Sequence, residues 1–172
     1  ELFPFSYTEY LSYTQQVAST QSFSRYLTQG GFPEYLANTD PLYLQQLLTD
    51  IILRDVAVRY SIKNTKTLLI LATYLISNVS TEFTYNRLKK LVDIKSTKSI
   101  ITYMHGFEES YLFFVVPQFS YSYRKQLVRP KKIYAIDTGF IIANSKSSTA
   151  NSGRLLENAV FLALRRIYKE IY

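Results

Sequence analysis

Ten lysines and arginines fall between positions 84 and 132: Arg87, Lys89, Lys90, Lys95, Lys98, Arg124, Lys125, Arg129, Lys131 and Lys132. Only Asp93, Glu108 and Glu109 oppose them there, so this stretch carries the whole formal charge of +7; elsewhere ten basic and ten acidic residues cancel. Positive charge confined in this way suits phosphate binding, which gains free energy by releasing condensed counterions. The plainer alternative is a solvated basic surface. Other chemistries lack raw material. With no Cys and one His, disulfide scaffolds, zinc fingers, cysteine nucleophiles and Ser-His-Asp sites are disfavoured. The five glycines form neither GxxxxGK[ST] nor GxGxxG, so the chain has no familiar phosphate-cradling loop of its own. His105, beside Gly106, reads as a solvent residue near a helix end. Asp55 and Arg59 read as an exposed i,i+4 pair worth a few tenths of a kcal/mol, with a contact to another domain as the functional alternative. Glu157, at the margin of an apolar helix face, reads as a solvated or paired carboxylate rather than a catalyst.

Elements of several kinds must position these groups. The length of 172 residues suits one domain or two small ones sharing an interface, and 47% apolar with 19% charged residues allows a sizeable core. Ser6 and Glu9 form a capping box, predicting a helix from about residue 7. A second helix runs from about Thr20 to Gln29, with Gly30 as a left-handed cap, and Gly31-Phe32-Pro33 turns the chain. Asp40-Pro41 starts a long amphipathic helix, with Leu44, Leu47, Leu48, Ile51, Ile52 and Val56 recurring to about Arg59. Residues 65–77 are apolar almost all round and predict a helix buried on several sides. Thr84 starts a short helix with Tyr85, Leu88, Leu91 and Val92 inward. Ser96 caps a third, whose inward stripe is Ile100, Ile101, Met104 and Phe107.

The period then shortens to two. Tyr111 to Val116 reads as a strand ended by Pro117, and Phe119 to Tyr123 as its antiparallel return or the approach to it. Three helices followed by a two-stranded ribbon is the order of a winged helix-turn-helix, in which the third helix enters the major groove and the ribbon lies on the adjacent backbone. Opposite the apolar stripe of that third helix lie Lys95, Lys98, Ser99 and Thr102, with Tyr103 at the flank; Arg124 and Lys125 fall where the wing or its base meets the backbone. These seven are the candidate DNA-binding residues. Lys132 to Ile136 reads as a buried strand, Asp137-Thr138-Gly139 as a turn, and Ser145 to Ser152 as a surface loop. Gly153 opens a helix with Leu156, Val160, Ala163 and Ile167 toward a core, and Glu170-Ile171-Tyr172 begins another strand. No apolar run approaches the ~20 residues of a bilayer helix, and no signal peptide precedes Phe5. The chain therefore reads as soluble and cytoplasmic, without membrane partners.

ELFPFSYTEYL, YLTQGGFPEYL, DIILRDVAVRY, YLFFVVPQFSYS, KKIYAIDTGF and GRLLENAVFLALRR, in this order, resemble the C-terminal half of a family of archaeal and bacterial AAA-type ATPases. The resemblance implies a mainly α chain with a small β component: a helical lid-like region over 1–62, a winged helix-turn-helix over 63–130, and the start of a PD-(D/E)xK nuclease-like α/β segment over 131–172. It implies an ATPase domain before the ELFPFS segment, with ATP and magnesium belonging to that domain and no cofactor or metal in this chain. A nuclease of that fold holds a divalent metal with a helix glutamate, a strand aspartate and an E-x-K. Only the helix glutamate has a counterpart, Glu157, so nuclease activity is not expected of this chain. The expected partners are duplex DNA and the ATPase domain. A protein-interaction or dimerisation role is the alternative, motivated by 16 Tyr and 11 Phe.

Overall fold

A computed structural model of the chain describes residues 2–146 and 151–172. Its architecture is mainly helical with one small antiparallel sheet. The capping box forms as expected: Ser6 Oγ accepts the Glu9 amide at 3.3 Å, and the Glu9 carboxylate accepts the Ser6 amide at 2.7 Å, opening α1 (Tyr7–Thr14). Helix α2 (Thr20–Gln29) ends at Gly30, whose φ of 73° and ψ of −162° lie outside the left-handed helical region, in a conformation that in practice only glycine adopts. The expected turn after Gly31 continues as a one-and-a-half-turn helix, α3 (Pro33–Asn38).

Asp40 caps α4 (Pro41–Asp50) by accepting the Leu42 amide, but the long helix expected to follow changes pitch and is π-helical over Ile51–Ala57. Leu44, Leu48, Ile52 and Val56 are buried along this unit, each four residues from the last. Such a stripe drifts forward on an α-helix by about 40° per step. The wider π turn reverses the drift, so all four side chains stay on the core. Arg59 pairs not with Asp55 but with Glu109 at 3.6 Å, and Arg54 pairs with Asp50 at 3.8 Å.

Helix α5 (Thr65–Ser77) buries Leu68, Leu71, Ala72, Leu75 and Ile76, each worth about 1.5–3 kcal/mol for its larger side chains. A two-residue strand, β1 (Glu82–Phe83), precedes α6 (Tyr85–Leu91) and α7 (Thr97–Glu109). Gly106 lets α7 close on the π-helical segment, since a Cβ there would lie 2.7 Å from Val56 Cγ1. Leu91 and Ile101, expected to point inward, are each 46% exposed, because the stripe of Leu88, Ile100, Met104 and Phe107 already fills the interface.

Strand β2 (Phe113–Pro117) begins two residues later than expected, and its partner differs from the expected one. Phe119 to Tyr123 forms no strand; the return strand is β3 (Lys131–Ala135), which pairs antiparallel with both β1 and β2 in the order β1-β3-β2. Tyr121 is 99% exposed and Phe119 50%, so neither ring reaches a core. In β3, by contrast, Ile133 and Ala135 reach the main core while Tyr134 stacks on Phe161 at 4.1 Å. The connection between β2 and β3 carries α8 (Tyr123–Val128).

Asp137-Thr138-Gly139, expected to be a turn, instead starts α9 (Thr138–Asn144), with Asp137 as its cap. Helix α10 (Ser152–Ile167) is rotated from the expected orientation: Leu155, Asn158, Phe161 and Leu162 are buried, while Leu156, Val160 and Ile167 are 44%, 49% and 72% exposed. Asn158 sets this choice. Its side chain accepts the Ala135 amide at 2.9 Å and donates to the Ala135 carbonyl at 3.0 Å, pinning that face to β3. Glu170 to Tyr172 forms no strand, and residues 147–150 of the expected surface loop lie outside the described residues. One cluster of buried side chains runs from Leu44 to Leu155, so the core does not divide at 62/63 or 130/131.

Candidate nucleic-acid interface

Helices α6 and α7 and the β2–β3 connection carry the candidate residues, and three contacts bring their ends together. Lys131, the first residue of β3, sets its ammonium 5.2 Å from the centroid of Tyr85, the first residue of α6. It also donates to the Leu127 and Arg129 carbonyls at 3.0 and 3.2 Å, which fixes the end of α8 to the same place. Asn86, next on α6, accepts from Thr97 Oγ1 at 3.4 Å, placing the start of α7 beside the start of α6.

The ten basic residues divide into two groups. Arg129 donates to the Phe119 carbonyl at 3.1 Å, Lys131 is spent as described, and Lys132 pairs with Glu157 at 2.8 Å. Burial pushes the Lys131 ammonium below the usual lysine range, as expected of a cation turned inward. These three are structural. Arg87, Lys89, Lys90, Lys95, Lys98, Arg124 and Lys125 have no side-chain hydrogen bond or ion pair to any described residue. All but Lys89, which is partly covered, are exposed.

Lys95, just before the cap of α7, and Lys98 in its first turn stand exposed, and Ser99 and Thr102 are partly exposed. The Thr102 hydroxyl donates to the Lys98 carbonyl at 3.1 Å, and Tyr103 packs against the main core, so those two present less chemistry to solvent than expected. Ile101 joins the outer face, one turn from Lys98, and sequence periodicity had placed it inside. Ser96 precedes the helix in extended conformation but makes no side-chain cap, leaving the first amides of α7 without that acceptor.

The remaining chemistry-bearing residues have structural partners. Glu157 Oε1 accepts from Lys132 Nζ and Tyr134 Oη, both at 2.8 Å. Desolvation raises its pKa, but these two donors outweigh it and hold the carboxyl below the usual range. It joins α10 to β3. Glu109 accepts from Tyr60 Oη and lies 3.6 Å from both Arg59 and His105. Arg59, His105 and Glu109 border a cavity of about 640 Å³ beside β2. Among the described residues no group of three or more His, Cys, Asp or Glu could hold a metal ion, and no helix is long and apolar enough to cross a membrane.

One polar centre escaped the sequence reading. Asp137 is buried; its carboxylate accepts the Phe140 amide at 2.9 Å and the Gly31 amide at 2.6 Å, across 106 residues of chain. A Cβ at Gly30 would fall on the Asp137 carboxylate, and one at Gly139 on the Gln29 carbonyl. Desolvation raises the Asp137 pKa to about 6, opposed by the amides of Gly31, Phe140 and Gly139. The pairing of Gly30-Gly31 with Asp137 and Gly139 was the available signal, and nothing local indicated that the two would meet.

The family described as a domain of unknown function (DUF8612) matches residues 20–151. An uncharacterized protein of Methanocaldococcus jannaschii, MJ1544, is 30% identical over 185 aligned residues, covering 96% of this chain and 41% of that protein. An uncharacterized protein of Haemophilus influenzae is 25% identical over 177, covering 96% of this chain and 44% of its own length. The chain thus spans about two fifths of the curated relatives it matches. No solved structure matches.

Proposed function

The chain belongs to that family of unknown function, and from its own geometry we propose that it is a winged-helix module that binds duplex DNA through α7, the cations of α6 and the β2–β3 connection. The observation carrying this reading is the division of the basic residues: seven of the ten in the confined stretch are left without a partner among the described residues, at elements whose ends the Lys131–Tyr85 and Asn86–Thr97 contacts draw together. The order α5-β1-α6-α7-β2-β3, with α8 inserted in the β2–β3 connection, together with a β1-β3-β2 sheet, supports the winged-helix assignment. The outer face of α7 supports a groove position. Lys95 and Lys98 reach phosphates, the uncapped amides favour an anion at the helix start, and Ile101 offers an apolar contact for a thymine methyl. Membership of an AAA-type ATPase is compatible with relatives more than twice the length of this chain, and belongs to the same proposal.

Each phosphate neutralised adds about 0.9 to the slope of log affinity against log salt. Removing the two lysines at the start of α7, one before its cap and one in its first turn (Lys95→Ala with Lys98→Ala), therefore lowers the slope by about 1.8 and weakens duplex binding at 0.1 M salt by about 60-fold. Fluorescence anisotropy titrations of a labelled duplex at several salt concentrations measure both quantities. Unchanged affinity and slope in the double variant would refute the assignment of α7.

A further inference from the structure

The connection between β2 and β3 is thirteen residues long, far more than a ribbon needs to turn. Its first part holds two aromatic rings outside any core. Tyr121 is 99% exposed and Phe119 50%, with ring centroids 5.1 Å apart in an edge-on arrangement. Phe119 also meets Tyr172 edge-on at 5.5 Å, while Arg129 holds the Phe119 carbonyl. Phe119 is thereby fixed, and its edge-on contact with Tyr121 leaves the Tyr121 ring almost fully exposed. Next in the chain come Arg124 and Lys125, exposed and without a partner among the described residues.

A free aromatic face beside two free cations complements one ligand chemistry well: an unpaired nucleobase that stacks on the ring while its neighbouring phosphates meet the guanidinium and the ammonium. A closed duplex offers the phosphates but hides its base faces. An apolar protein partner would cover the rings but strand the cations.

Resting on the duplex-binding proposal, we infer that Tyr121, braced by Phe119, stacks on an unpaired base, so that the preferred ligand is a duplex carrying a single-stranded extension. Arg124 and Lys125 hold the backbone of that extension, while α7 remains on the paired portion.

The test compares a closed hairpin duplex with the same duplex bearing a five-nucleotide overhang that contains 2-aminopurine, titrated at one salt concentration. Stacking contributes about 1–3 kcal/mol per base, so the wild-type chain binds the overhang probe about 5- to 150-fold more tightly and quenches its 2-aminopurine. Tyr121→Ala abolishes the gain and the quenching and leaves closed-duplex affinity unchanged, while Tyr121→Trp keeps both. The exposure of Tyr121 makes both variants safe for folding. Equal wild-type affinity for the two probes, or an equal loss on both in Tyr121→Ala, overturns the inference and leaves the duplex reading standing. Failure to bind either probe overturns the duplex reading and this inference with it. Equal probe affinities together with Tyr121-dependent sedimentation on anionic vesicles would assign the rings to a lipid surface instead.

Discussion

Asp137 makes the stability of this chain depend on pH in a direction opposite to that of its paired carboxylates. Its pKa is about 6 in the fold against 3.8 for an unperturbed aspartate, so between roughly pH 4 and pH 6 the folded state binds more protons than the unfolded one. Stability must then fall as pH rises through that window, and the full difference is about 3 kcal/mol at 1.36 kcal/mol per pKa unit. Asp137→Asn removes the titration while turning an amide group toward one of the two backbone amides that the carboxylate accepts. The stability of the variant relative to wild type therefore rises by about 2.4 kcal/mol between pH 4 and pH 7 as the wild-type carboxylate becomes ionised. Urea unfolding followed by circular dichroism at half-unit pH intervals measures the gap. Subtracting the two curves cancels the contributions common to both proteins. Parallel curves would refute the argument, since they would mean that the carboxylate clasping Gly31 pays no desolvation cost.

Gly139→Ala, which drives a Cβ into the Gln29 carbonyl, lowers the urea midpoint more than Gly153→Ala, whose Cβ meets only Asn151 Oδ1 at 3.2 Å; comparable midpoints would count against the close approach of α2 and α9. Leu155→Ala costs about 2–5 kcal/mol as a core truncation, while Leu156→Ala on the exposed side of α10 stays within about 0.5 kcal/mol, and equal losses would show the helix rotation to be wrong. Glu157→Ala leaves Lys132 and Tyr134 without their shared acceptor and costs about 1 kcal/mol for a half-exposed pair. The part of this contribution that depends on ionised Glu157, whose pKa is lowered, is present above about pH 4.5 and lost as pH falls through the folded value, so a pH-independent effect in unfolding titrations would contradict it.

Local signals in the sequence were reliable where a single element decides its own structure. Ser6 and Glu9 satisfy each other's amides with no help from elsewhere, and the apolar run from Leu68 to Ile76, broken only by Thr73 and Tyr74, sends most of its side chains to a core. The confined charge was legible too, although periodicity could not tell which cations the fold consumes. Lys131 and Lys132 are indistinguishable from Lys89 and Lys90 as letters; they differ because β3 carries them against Tyr85 and Glu157. The errors share one cause. Phe119 to Tyr123 alternates as well as any strand, and Leu156, Val160, Ala163 and Ile167 recur as regularly as the face of α10 that is buried. Neither pattern says which surface will find a partner.

That decision lies largely with β3, the strand which the sequence reading placed in a separate segment. Lys131 ties it to α6 and α8, Lys132 and Tyr134 to Glu157 on α10, and Ala135 to Asn158 through both backbone groups. Two residues on, Asp137 reaches Gly31 and so joins α2 and the N-terminal segment to the same line of chain. The connections radiate from seven consecutive residues, 131 to 137, into α6, α8, α10 and the N-terminal region. The buried ones among these, to Asn158 and Gly31, are lost together rather than one at a time, because freeing either element exposes the polar groups that hold it. The helical N-terminal region, the three-stranded unit and α10 should therefore unfold as one cooperative body. In hydrogen exchange, the amides of Ile133 and Ala135 should open only with the whole chain, and faster exchange there than in α5 would mean that the sheet is not what joins the regions.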